Sequence, residues 1–159
     1  MPYRISRNLE ASIIDKITAD IATDWSSFNI RTVKSFTEVY QGTLPAICIN
    51  VEAVDPIKLE IGSKTWLKYF DVSIRIFATT DGLRLDLADY FTDKLEDDIN
   101  YYVYTIASGV VSSKVLTGKI VILPNGILRN EKELTNTENL EKEDRYRHII
   151  TFRCYVATT

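Results

Sequence analysis

This sequence is poor in the residues that usually announce chemistry. Its 159 residues hold one histidine, His148, and two cysteines, Cys48 and Cys154. No Gly-x-Ser-x-Gly motif and no metal-ligand spacing accompanies the histidine, so neither a hydrolytic nucleophile nor a metal is read from the sequence. Cys154 stands six residues from His148 on the same expected strand, about 20 Å away at the usual rise, which excludes a nucleophile–base pair. Both cysteines fall in apolar strand-like runs, Ala46–Val51 and Ile149–Val156, and read as small core residues. A disulfide between them would need an oxidising compartment.

Long apolar runs are missing too. No window approaches the roughly 18 residues of a membrane-spanning helix, and Met1-Pro2-Tyr3-Arg4 opens no secretory core, so the expectation is a soluble protein made in a cytoplasm, with no membrane partner. Positive charge is not in excess: 22 acidic and 19 basic residues leave a net charge of −3, against nucleic-acid recognition. The one basic group, Arg145, Arg147, His148 and Arg153, alternates with apolar residues and reads as a solvated strand face. Tyr101, Tyr102 and Tyr104 lack interleaved lysine or arginine and read as packing aromatics. Asp81-Gly82 opens a helix and Gly118-Lys119 precedes a strand, so neither is a phosphate loop. No internal repeat appears.

What is present is periodicity. The length suits one domain with a true core. Leu9, Ile13, Ile14, Ile17, Ile21 and Trp25 predict a helix over about Arg7–Asp24, capped by Ser6 or Asn8. Asn29–Val39 and Leu44–Glu52, joined by Gln41-Gly42-Thr43, predict a hairpin. From Lys64 to Ala78, Phe70, Val72, Ile74 and Ile76 alternate with Tyr69, Asp71, Ser73 and Arg75, the pattern of a strand with one buried face. Leu83, Leu87, Ala88, Phe91, Leu95 and Ile99 then mark a second helix, about Gly82–Ile99. Its Asp86, Asp89, Asp93, Glu96 and Asp97 read as the solvated side. Thr117–Leu123 and Tyr146–Ala157 read as strands. Together these elements predict an α+β domain, mainly an antiparallel sheet with two amphipathic helices packed on one face.

Two segments stand outside that frame. In 53–64, Asp55-Pro56 reads as a strand break followed by a projecting arm, whose Ile57, Leu59 and Ile61 either pack at home or meet a neighbouring subunit. In 124–144, Pro124-Asn125-Gly126 reads as a turn, and the polar run to Asp144 reads as a loop.

The order of elements resembles the tail terminator and tail-completion proteins of long-tailed bacteriophages. The leading helix Leu9–Trp25, the strand from Leu44, the strand Lys64–Ala78 with its helix, and the closing strand Tyr146–Ala157 carry the resemblance over most of the chain. It implies a virion protein, assembled in the host cytoplasm, that forms a homo-oligomeric, hexameric ring on the head-proximal end of the tail tube. The ring stops tube growth and docks the head connector. It also implies no catalytic residue, cofactor or metal, with tail tube protein and head connector proteins as partners. The candidate interface residues on that reading are Lys58, Leu59, Glu60, Ile61 and Lys64 in the arm, and Asn125, Glu131, Lys132 and Glu133 in the polar segment. Another head–tail joining or tail-tube protein, or an unrelated ligand-binding or enzymatic α+β domain, stays open beside it.

Overall fold

A computed structural model describes residues 4–58, 66–133 and 142–158. They form an α+β fold around one six-stranded sheet of order β1-β2-β3-β6-β5-β4. The strands are β1 (Arg31–Val33), β2 (Ala46–Lys58), β3 (Trp66–Phe77), β4 (Ile99–Ala107), β5 (Val110–Lys132) and β6 (Arg147–Thr158). The helices are α1 (Ile5–Asp24), α2 (Phe36–Tyr40) and α3 (Asp81–Lys94). The sheet is mixed: β1 runs parallel to β2, and the other four pairings are antiparallel.

The main core lies where α1 and α3 meet one face of β2, β3 and β6. Leu9, Ile13, Ile17 and Ile21 from α1, and Leu83, Leu87, Ala88 and Phe91 from α3, pack on Ile47, Ile49, Phe70, Val72, Ile74, Ile76, Ile150 and Phe152. Each large side chain fully buried there contributes on the order of 2 kcal/mol. The opposite face is covered as well, so β3 is not a one-faced strand. Val33, Val39, Ala46, Cys48 and Phe77 form a smaller core under α2, and Ser73 is fully buried. The two cysteines are free and lie on opposite faces, Cys48 beside Phe77 and Cys154 in the main core.

The expected hairpin over Asn29–Glu52 is instead a short parallel crossover. The reason is local. Ser35-Phe-Thr-Glu38 caps a helix: the Ser35 hydroxyl accepts from the Glu38 amide at 3.3 Å, and the Glu38 carboxylate accepts from the Lys34 amide at 3.2 Å. Arg31 then donates to the carbonyls of Thr43, Glu38 and Val39, satisfying groups that the end of α2 leaves open.

Helix α1 begins earlier than its periodicity suggested, so Ser6 and Asn8 lie within it and do not cap it, and Asn8 and Ser12 are buried. Their side chains accept from the backbone amides of Tyr104 (3.3 Å) and Tyr102 (3.0 Å) in edge strand β4. Glu10 accepts from Val51 of β2 at 3.1 Å. One helix therefore serves two strands distant in the sheet order, which curls the sheet around α1 and shields part of an exposed edge. Helix α3 is capped by Thr80, whose hydroxyl accepts from Leu83 at 3.2 Å. It stops at Lys94, not Ile99: Glu96 and Asp97 donate back to Asp93 and Lys94 in a tightened turn, and Ile99 is buried as the first residue of β4.

Asp55-Pro56 does not break β2. Pro56 sits opposite Lys68, beyond the three residues that β1 covers, where a missing amide costs no ladder bond on the open side. The expected loop over Asn125–Asp144 is likewise a strand as far as Lys132. Four residues, Leu123–Gly126, face the single residue Arg153 as a bulge, with Asn125 at φ 56°, and pairing resumes at Ile127–Phe152. As far as Lys132 the segment is polar because it is an edge, lying outside the reach of β4, and residues 134–141 lie outside the described residues.

Candidate interface

β5 changes partners along its length. Val110–Ile120 pairs with β4, Gly118–Lys132 pairs with β6, and the two ladders overlap only over Gly118–Ile120. Gly118 is where the handover happens. A Cβ there would lie 2.1 Å from the Ala157 carbonyl oxygen, so only glycine lets β6 come this close. Before that point β4 and β5 form a two-stranded ribbon reaching past the end of β6. Its tip is the two-residue turn Ser108-Gly109, with φ 51° and 80°, the positive values that tight hairpins need.

The ribbon is the most exposed apolar feature among the described residues. Val110 is 69% exposed, and Val111, Val115 and Leu116 are each more than half exposed. Between Tyr102 and Thr117 it carries one charged side chain, Lys114, in a chain that is 26% charged. Lys114 stacks on Tyr102 at 4.8 Å and donates to Asp15 at 2.8 Å. Tyr104 also donates to Asp15, at 2.8 Å, and burial together with that bond raises its pKa. α1 thereby fixes the root of the ribbon and leaves its outer part bare.

A groove of about 680 Å³ lies on the other side of the handover point. Leu95, Ile120, Ile122 and Ile127 give it an apolar floor, and Glu96, Asp97 and Asp98 stand on its rim. Asp97 meets Lys16 at 3.7 Å and Lys94 at 3.8 Å, and Asp98 meets Lys119, while Glu96 is exposed and outside these pairs.

The expected interface residues are dispersed. Lys58 ends β2 and lies over the Trp66 ring at 5.2 Å, with Ile57 and Trp66 exposed nearby. Leu59, Glu60, Ile61 and Lys64 lie outside the described residues. Asn125 lines the groove at the bulge. Glu131 pairs with Arg129 at 2.8 Å, and Lys132 stands 3.9 Å from Asp81. Glu133 is turned inward, accepting from Arg147 at 2.7 Å and lying 3.6 Å from Arg75. It belongs to a cluster on the α2 face in which both guanidiniums flank Phe36, at 5.3 and 5.6 Å. There Arg147 also donates to Asp144, at 3.0 Å, and Tyr40 donates to Asp144 at 2.5 Å. Burial and that bond push the Tyr40 phenol up to about 12.

His148 is 6% exposed and held on both ring nitrogens. Arg84, itself buried, approaches Nδ1 at 2.8 Å, and Asn130 Oδ1 lies 2.7 Å from Nε2. An arginine can only donate, so Nδ1 is the acceptor and Nε2 carries the proton given to Asn130. Asn130 passes a bond to Thr92 at 3.0 Å, and Arg84 is neutralised by Asp81 at 2.8 Å. Burial first, and Arg84 second, lower the His148 pKa. Burial pushes the Cys48 thiol up to about 11 and the Cys154 thiol up to about 12, so neither is a ready nucleophile at neutral pH. No group of three or more His, Cys, Asp or Glu among the described residues is placed to hold a metal. No helix among them is long and apolar enough to cross a membrane.

Arg84, Asn130 and Ser12 escaped sequence reasoning, and Asn8 reads there as a cap, because a polar residue on a buried face looks like any polar residue. The ribbon was partly visible: Ser108-Gly109 between β-prone runs is a hairpin signal. No known family model matches the chain, and no curated protein matches it.

Proposed function

We propose that the chain is a structural subunit of the tail-terminator kind, forming a homo-oligomeric ring that caps the head-proximal end of a phage tail tube and presents a docking surface to the head connector. The observation that carries this reading is the ribbon of β4 and β5. An isolated two-stranded ribbon is marginal in water, and this one exposes valine and leucine with a single charge, so it is built to be covered by protein. The inward engagement of His148 and the raised thiol pKa values support a geometric mechanism in which no bond is made or broken. Ring closure needs a head-to-tail contact between identical subunits, and a projecting element separate from its receiving surface suits that symmetry.

The experiment is twofold: the mass of the purified chain in solution, and electron microscopy of tail tubes with the chain added. Rings, free or seated on one end of the tube, are the expected result. A strict monomer that also binds no tail tube refutes the proposal.

A further inference from the structure

Taking the ring reading as its basis, we infer that the β4–β5 ribbon of one copy docks into the groove at the root of the same hairpin in the next copy. The ribbon offers Val103, Val115 and the tip valines; the groove offers Leu95, Ile120, Ile122 and Ile127. The groove volume of about 680 Å³ is that of a site receiving several side chains. Charge agrees as well. The receiving rim is acidic, with Glu96 outside the ion pairs that engage Asp97 and Asp98, and the one charge on the incoming ribbon is the cation Lys114.

A second copy is the occupant because the chain cannot fill its own groove. Groove and ribbon lie on one strand, β5, with Val110 ten residues from Ile120, up to about 33 Å away at the strand rise, and two bulges, at Ser112 and Thr117, lie between them. Releasing Lys114 from Asp15 costs little, since both side chains are more than two-fifths exposed. Each copy then gives a ribbon and receives one, a contact that propagates in one direction.

The test uses full-length chains carrying different tags, one with Val115→Cys and the other with Ile127→Cys, mixed at high concentration and oxidised. The native thiols are buried and stay out of the reaction. The expected product is a disulfide-linked pair containing both tags. A third variant, Leu85→Cys, exposed on α3 and distant in sequence from both elements, should give no such pair with Ile127→Cys. Lys114→Glu should weaken self-association about tenfold, and Glu96→Lys in the partner chain should restore most of it. No cross-link, or one as strong from Leu85→Cys, overturns the docking. A chain that caps tail tubes without this cross-link overturns the docking and keeps the ring reading; a chain that cross-links yet never caps a tube does the reverse.

Discussion

The two ends of β5 are the same strand put to opposite uses. Val110–Thr117 has one neighbour, β4, bears one charge and exposes its apolar residues. Val121–Lys132 has one neighbour, β6, and carries Arg129, Glu131 and Lys132. By hydropathy the first half looks like core and the second, beyond Leu123, like loop, yet the first projects from the molecule and the second lies along its body. The difference teaches that hydropathy along a strand does not by itself report whether the strand is covered within the subunit.

Stability measurements should divide β5 at Gly118. Ile120, 4% exposed against the main core, should lose about 2–4 kcal/mol on substitution by alanine. Val115, 58% exposed, should lose less than about 0.5 kcal/mol on the same change. Chemical denaturation of the isolated chain reads both. Equal losses would mean that the ribbon is folded against the body in the subunit, and the contrast between the two halves would collapse.

A smaller effect tests whether the bulge is a built feature. A Cβ at Gly126 would lie 2.6 Å from the Leu123 carbonyl oxygen and 2.9 Å from that of Arg153, both backbone atoms. Gly126→Ala should therefore cost about 1–3 kcal/mol through displaced backbone. The same substitution at Gly82, where nothing stands within 4 Å, should not destabilise the chain by this steric route. A neutral Gly126→Ala in thermal unfolding would show that the strand tolerates slippage here.

The long apolar elements were legible in the sequence because one rule governs each of them. α1, the first three turns of α3, β3 and β6 all follow a single period, and the main core is their shared face. The misreadings arise where two rules compete. Leu95 and Ile99 continue the helical stripe of α3 but belong to a turn and a strand, since both need burial whatever the backbone does. Pro56 and Pro124-Asn125-Gly126 punctuate a lone sequence, but at an edge and at a bulge a strand absorbs them. α2 was spelled out by Ser35-Phe-Thr-Glu38, a five-residue helix too short to show a period. The ribbon's exposure was not legible, because it depends on which strands flank β4 and β5 in the sheet and not on the local pattern.

The subtlest prediction concerns how the charged half of β5 is held to α3. His148 faces Arg84 and Asp89 of α3 and Asn130 and Glu131 of β5, and its folded pKa is lowered by burial and by Arg84. Above the ordinary histidine pKa of 6.5 both folded and unfolded chains keep the ring neutral, and the network contributes in full. As pH falls below 6.5 the unfolded chain takes up the proton first, so stability is lost until the folded pKa is passed, and below it the loss from this group levels off. The carboxylates Asp89 and Glu131 oppose the effect without reversing it. His148 is the only histidine, so a stability profile between about pH 7.5 and pH 5 isolates it from other side chains with ordinary pKa values in that window. His148→Gln should flatten the profile, with Gln keeping one polar end toward Asn130. A profile unchanged by the substitution would mean that burial and Arg84 do not lower the ring's pKa in the folded chain, and that α3 and the lower half of β5 are held by contacts other than those of His148.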